Sequence, residues 1–109
     1  MSRASFCKME AVYFKCLLPL GAARQKLEAL GWTCQRRDSD LYGEYLSCRP
    51  VQGAKLRLFE ESSGYLLDIV FRSEEPDAKK IWKALRARIF KEALPALGAG
   101  ELEPRENVG

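Results

Sequence analysis

The longest regular pattern in this chain of 109 residues is an alternation of apolar and polar side chains from Trp32 to Phe71. A period of two is typical of β-strands that bury one face. Turn-forming residues interrupt the alternation at 38–40, 50–53 and 62–64. Loops this short join antiparallel neighbours, because parallel strands need a long crossover. The segment therefore predicts a four-stranded antiparallel meander.

Elements on either side of the meander complete the predicted fold. The meander strands are predicted over Trp32–Arg37, Leu41–Arg49, Ala54–Glu61 and Tyr65–Arg72. Aromatic and β-branched residues predict an additional N-terminal strand over Lys8–Leu17. Pro19 and a helical apolar stripe predict a helix over Leu20–Leu30, with Gly31 as its cap. Pro76 opens a second helix that extends to Leu94.

The predicted order is β-α-β-β-β-β-α, with both helices on one face of the sheet in a two-layer α+β domain. This order is similar to that of TATA-binding-protein-like repeats, helix-grip domains and, without the first strand, RWD-type interaction domains. No motif ties the chain to one of them, and element order alone does not give a function. The domain is expected to span 1–97, and the small, polar segment 98–109 is expected to be disordered.

Alternation also predicts which side chains point away from the helices. In the fourth meander strand, every second residue from Tyr65 to Phe71 is apolar and belongs to the core. The predicted opposite face carries four cations, one aromatic residue and two aliphatic residues: Arg37, Lys55, Arg57, Arg72, Phe59, Leu66 and Val70. Arginines beside aromatic rings are enriched in protein interfaces, and they also bind phosphates and nucleic-acid bases. An ordinary solvated face is the third interpretation.

The second helix combines an apolar core stripe with a basic side. The core stripe is Ala78, Ile81, Trp82, Leu85, Ile89 and Ala93. Lys79, Lys83 and Arg86 lie off it and predict either a solvated face or a contact with phosphates or an acidic protein. In a continuous α-helix, Phe90, Leu94 and Leu97 also fall on this outer side. They predict a contact with a partner or a second copy, or else with the chain's own tail or the sheet edge.

Catalytic and metal-binding patterns are weak in this sequence. The chain has no histidine, which removes the most common proton shuttle and metal ligand. Asp38, Asp40, Glu44 and Asp68 form no recognisable acid–base motif, and the chain has no phosphate-binding glycine loop. We therefore expect neither an enzyme nor a cofactor. A small apolar ligand between helix and sheet is compatible with the pattern but not required by it.

Four cysteines stand at wide, irregular spacings, at Cys7, Cys16, Cys34 and Cys48. Zinc sites usually show closely spaced ligand pairs, so these residues are expected to be packing residues. A disulfide or a four-thiolate metal site is the alternative. The chain shows neither a secretory signal nor a transmembrane stretch, so we expect a cytoplasmic or nuclear protein that does not act on membranes.

These patterns together favour a noncatalytic interaction module, such as a subunit, adaptor or inhibitor. It would bind a protein partner or a second copy of itself through the open sheet face and the basic helix. The alternative is a small RNA- or DNA-binding protein that uses the same surface. The formal net charge of +3 is too small to separate the two.

Overall fold

The computed structural model describes residues 5–41 and 43–105 as a six-stranded antiparallel sheet with helices on one face. The strands are β1 (Phe6–Lys15), β2 (Thr33–Ser39), β3 (Gly43–Arg49), β4 (Ala54–Glu61), β5 (Gly64–Ser73) and β6 (Leu102–Arg105). The helices are α1 (Leu20–Glu28), α2 (Ala78–Arg88) and the short α3 (Leu94–Ala96), with a π-helical turn, Ile89–Ala93, between the last two. The predicted α+β class and the meander are confirmed.

The strand order across the sheet is β2-β3-β4-β5-β1-β6. The predicted N-terminal strand is present as β1, and it lies inside the sheet rather than at an edge. Phe6 pairs with Ser73 and Lys15 pairs with Gly64, so β1 follows β5 along its whole length. This arrangement gives β1 a second, free side, on which β6 pairs with Ala11–Phe14.

The core lies between the sheet and the helices. α1 covers the end of the sheet near β2 and β3, while α2 packs over β1. Phe71 of β5 stacks on Trp82 of α2 with ring centroids 6.1 Å apart, and Phe14 lies 6.1 Å from Tyr65. Burying side chains of this size is the main stabilising contribution to a domain of this length. No helix among the described residues is long and apolar enough to cross a membrane.

The prediction that Leu94 lies on the outer side of the second helix is wrong. Leu94 is 2% exposed and belongs to the core. The cause is the π-helical turn, in which the Leu94 amide bonds to the carbonyl of Ile89 rather than to that of residue 90. Each such turn contains one extra residue, which rotates everything after it by about 100°. Leu94 and Leu97 therefore face the sheet, and both are buried.

The expectation that residues 98–109 are disordered is wrong for the part that the structure describes. Gly98 takes a positive φ of 69°, which allows the Ala99 amide to bond back to the Leu94 carbonyl at 3.0 Å. The Gly100 amide then bonds to the Lys15 carbonyl at 3.1 Å. This reversal directs the chain along β1, where it forms β6. Residues 106–109 lie outside the described part.

Two of the four cysteines pack as small core residues. Cys34 and Cys48 face each other across β2 and β3, and both are buried as free thiols. A hydrogen bond between them lowers the pKa of Cys34, while the same contact and burial raise the pKa of Cys48. Cys16 is half-buried and Cys7 is exposed. The described residues bring no three potential metal ligands together.

Tyr65 connects the sheet to the loop before α1, because its buried hydroxyl donates a hydrogen bond to the Leu18 carbonyl. Burial, and then the charges of Glu60 and Cys16, raise the pKa of Tyr65 to about 12. In the unfolded chain a tyrosine titrates near 10, so it loses its proton first there. The stability that this hydroxyl contributes is therefore present below pH 10 and is lost as the pH rises toward 12.

We expect Tyr65→Phe to lower the free energy of unfolding by about 1 kcal/mol at pH 8, through loss of this hydrogen bond. Between pH 10 and 12 the difference in the free energy of unfolding between the two proteins should shrink, because only the wild type carries the hydroxyl with the raised pKa. Urea unfolding at pH 8 and pH 11 measures both values. Parallel losses of stability in the two proteins over this range would contradict the shift.

Candidate functional site

The sheet face opposite the helices is covered by no described helix or strand, and strand register arranges its side chains in rows. One row crosses all six strands and is largely aromatic or apolar. From β2 to β6, it contains Arg37, Tyr45, Phe59, Leu66, Tyr13 and Glu103. Tyr45 and Phe59 lie directly opposite each other, with ring centroids 4.9 Å apart. The row forms a continuous stripe across the open face.

An ion pair lies next to this aromatic row. Arg57 of β4 and Asp68 of β5 are register partners, and the guanidinium donates two hydrogen bonds to the carboxylate, at 2.9 and 2.6 Å. The same guanidinium lies 5.3 Å from the centre of the Phe59 ring. Asp68 is only 6% exposed, although no helix covers it. A buried carboxylate with a two-bonded arginine is a fixed feature, since neither group can leave without exposing the other.

Alternation predicts that Phe59 presents its ring on this face. It does point to this face, but it is only 6% exposed. Arg57 covers one part of the ring and Tyr45 packs against another. The ring therefore supports the surface from below and is not available for stacking on a nucleic-acid base. Tyr45, which the sequence interpretation did not select, is the more accessible member of this pair.

A second arginine lies over the other end of the aromatic row. Arg105 of β6 places its guanidinium 5.1 Å from the Tyr13 ring centre. It also lies 3.5 Å from a carboxylate oxygen of Glu61 and 3.6 Å from one of Glu103. The sequence gives no signal for this contact, because the C-terminal segment is small and polar, a composition that predicts disorder. The described tail is therefore part of the face.

The remaining outward residues form a basic and apolar border. Arg49 and Lys55 are opposite neighbours in the register implied by the β3–β4 pairing, and Arg72 lies further along on β5. None of the three forms an ion pair with another described residue. Met9, which is 48% exposed, and Val70 lie beside them as register partners. We call the whole set the docking face; it comprises the aromatic row, the Arg57–Asp68 pair, Arg105, Arg49, Lys55, Arg72, Met9 and Val70.

The structure separates the predicted helix residues from the docking face. Lys79 and Lys83 are exposed on α2, which lies on the opposite side of the sheet. Arg86 is bonded through its guanidinium to both carboxylate oxygens of Glu10, at 3.0 to 3.1 Å, and lies 4.5 Å from the Phe90 ring centre. One flat partner cannot contact Lys79 and the docking face together.

Arg86 and Phe90 lie nearer to the docking face than the lysines do. They line a groove of about 460 Å³ at the edge formed by β1 and β6, together with Met9 and Arg105. Phe90 is only partly exposed, because it packs against the core and beneath Arg86. The predicted pair of Phe90 and Leu94 therefore splits, with Phe90 at this edge and Leu94 in the core.

The candidate acids of the sequence interpretation do not converge. Asp68 is bonded to Arg57, and Glu44 is bonded to Arg36 at the far end of β3. Asp38 and Asp40 are exposed near the β2–β3 turn. No protein-family model matches the chain, and no curated protein shows significant sequence similarity to it. A functional interpretation therefore depends on the chemistry of the docking face.

Proposed function

We propose that this protein is a noncatalytic interaction module that binds an acidic protein partner through the docking face. The supporting observation is the preassembled aromatic row, with the guanidinium groups of Arg57 and Arg105 within 5.3 Å of two of its ring centres. Aromatic residues, methionine and arginine are the side chains enriched at the centres of protein interfaces. Because these groups are already ordered by their mutual contacts, binding costs little side-chain entropy.

A protein partner is favoured over a nucleic acid by the state of two central residues. The charge of Arg57 is already balanced by Asp68, so it adds little to phosphate binding. The Phe59 ring is covered, so it cannot serve as a stacking platform. A nucleic-acid site usually presents both groups freely. The docking face instead combines a partly buried aromatic row with a charged border, which is similar to the usual arrangement in protein interfaces.

The border argues for a different, acidic protein rather than a second copy of this chain. Arg49, Lys55 and Arg72 form no ion pairs among the described residues and lie along one side of the face. A two-fold contact of the face with itself whose axis crosses this side would bring like charges together, which weakens association. An acidic partner would pair with them and would also be attracted over long distances.

Photo-crosslinking tests the proposal directly. We would place p-benzoylphenylalanine at Met9, which is half-exposed on the docking face, and express the full chain in its native cells. The matched control places the same residue at Ala84, which is exposed on α2. We expect an adduct of defined mass with one acidic protein at Met9 and none with that protein at Ala84. The same adduct from both positions, or none from Met9, would overturn the proposal.

Lys55→Glu should strongly reduce the yield of that adduct without unfolding the protein. Lys55 is exposed and has no ion pair among the described residues, so its reversal should change the free energy of unfolding by less than about 0.5 kcal/mol. Reversal of the charge should weaken an acidic complex by about tenfold or more. Crosslink yield and thermal unfolding measure the two effects. Retention of the full crosslink yield by a folded variant would show that Lys55 is not part of the interface.

The nucleic-acid alternative has its own test. Binding of the wild type to short RNA or DNA, with an affinity that falls steeply as salt is added, would support it.

A further inference from the structure

A second surface, separate from the docking face, lies at the end of the sheet where β1 leaves it. Four chain segments enclose an open groove of about 730 Å³ there: the end of β1 with the loop that follows it, α1, the β4–β5 turn, and α3 with the turn that follows it. The walls are mostly apolar and include Leu17, Leu18, Pro95, Ala96 and Leu97. Leu17 is 94% exposed, so its side chain extends fully from the rim. No residue of the docking face lines this groove.

Hydrogen bonds between three of these segments hold the groove in shape. The Cys16 amide donates to the Ser63 carbonyl at 3.2 Å, which ties the β1–α1 loop to the β4–β5 turn. The Cys16 thiol donates to the Leu97 carbonyl at 3.1 Å, which ties the same loop to the end of α3. Tyr65 holds the Leu18 carbonyl from below. A groove fixed in this way needs little reorganisation before a ligand binds.

The charged residues of the groove indicate what kind of ligand would fit. Lys15 and Lys26 line it and are exposed, and neither ammonium group has an ion pair or a hydrogen bond to another described residue. None of the lining residues is acidic. An apolar wall with two unpaired ammonium groups is complementary to a ligand that is apolar along its length and anionic at one end. A second copy of the chain is disfavoured, because it would bring four lysines together.

We propose that this groove binds a free fatty acid, with the aliphatic chain on the leucine and proline walls and the carboxylate between Lys15 and Lys26. The volume lies within the range of small-molecule sites, which are mostly apolar with a few placed polar groups. The ammonium groups set the orientation of the ligand, and the apolar walls supply the buried area. This site is separate from the proposed protein interface, and the two proposals can be tested independently of each other.

Titration of the wild-type protein with a dansyl-labelled undecanoate, followed by displacement with laurate, measures the binding. We expect saturable binding with a Kd on the order of 10 μM. Lys15→Glu combined with Lys26→Glu should weaken it by about tenfold or more, because two attractive contacts become repulsive. Dodecanol has the same aliphatic chain without the charge. Its affinity for the groove, measured by displacement of the probe, should be lower than that of laurate by a similar factor. The control Lys91→Glu reverses an exposed lysine that does not line the groove and should change Kd by less than about twofold.

Two further measurements locate the site. Ala96→Trp should fill the groove and abolish probe binding while circular dichroism remains that of the wild type. In a Cys7→Ser background, saturating laurate should slow alkylation of the half-buried Cys16 thiol, since Cys34 and Cys48 are buried. Absence of saturable binding by the folded wild type would overturn the proposal, as would binding that survives both the lysine reversal and Ala96→Trp. Association with phosphatidylglycerol vesicles but not with free laurate would overturn it in favour of a membrane surface.

Discussion

Leu94→Ala should lower the free energy of unfolding by about 3 kcal/mol, the usual effect of removing a fully buried leucine side chain. Leu94 is enclosed by the core because the π-helical turn rotates it toward the sheet. In an uninterrupted α-helix the same leucine would be exposed, and its replacement would change little. The measurement is urea unfolding followed by circular dichroism.

The matched control is Leu17→Ala, which makes the same substitution at a leucine that is 94% exposed. It should change stability by less than about 0.5 kcal/mol. Deleting Lys91, an exposed residue of the π-helical turn, removes the one extra residue, so the turn should become ordinary α-helix while Leu94 and Leu97 still face the sheet. The deletion should therefore destabilise the protein less than Leu94→Ala does. Equal, small effects at Leu94 and Leu17 would show that the π-helical turn is absent.

Arg57→Met should destabilise the protein by about 2 kcal/mol, because it leaves the Asp68 carboxylate buried without a cation. The figure lies below that for a fully buried pair because Arg57 itself is partly exposed, and solvent screens its charge. The double variant Arg57→Met with Asp68→Leu should recover most of the loss, since it removes the uncompensated charge. A double-mutant cycle on urea unfolding gives the coupling energy between the two side chains.

The Arg36–Glu44 pair is the internal control for this cycle. It also joins neighbouring strands, but both of its side chains are about half-exposed. Exposed pairs of this kind contribute little, so Arg36→Met should change stability by less than about 0.5 kcal/mol. A similar loss at both arginines would mean that general strand propensity, and not burial of Asp68, explains the effect at Arg57.

Much of the fold could be predicted because turns and alternation are local. The short polar turns at 50–53 and 62–64 limit where strands can pair, and β4 has the predicted bounds, Ala54–Glu61. The π-helical turn could not be predicted in this way. It moves Leu94 to the core through one extra residue in a helix whose composition is otherwise ordinary. Its signal was present, however, since Leu94 and Leu97 lie out of phase with the earlier core stripe.

The docking face could be predicted only in part. Alternation correctly assigned Arg57 and Phe59 to the uncovered side, but it does not show what lies next to them. The register in which neighbouring strands pair determines which side chains lie next to each other. A two-residue turn at Ser62 and Ser63 places Arg57 opposite Asp68, so the sequence could have indicated this pair. Arg105 could not have been found, because β6 forms only where the free side of β1 offers it a partner.

The position of β1 also has a consequence for how the chain assembles. β1 is synthesised before the meander, yet the strand beside it in the sheet is β5, so Phe6 can pair only after Ser73 has been synthesised. The meander can form from neighbouring segments, whereas β1 must join it by closing a long loop, a type of contact that slows folding. Until then, a strand with apolar residues at Val12 and Phe14 has both edges open, and such strands are prone to intermolecular pairing. Of the six described strands, the one that is synthesised first is thus the one that depends most on completion of the rest.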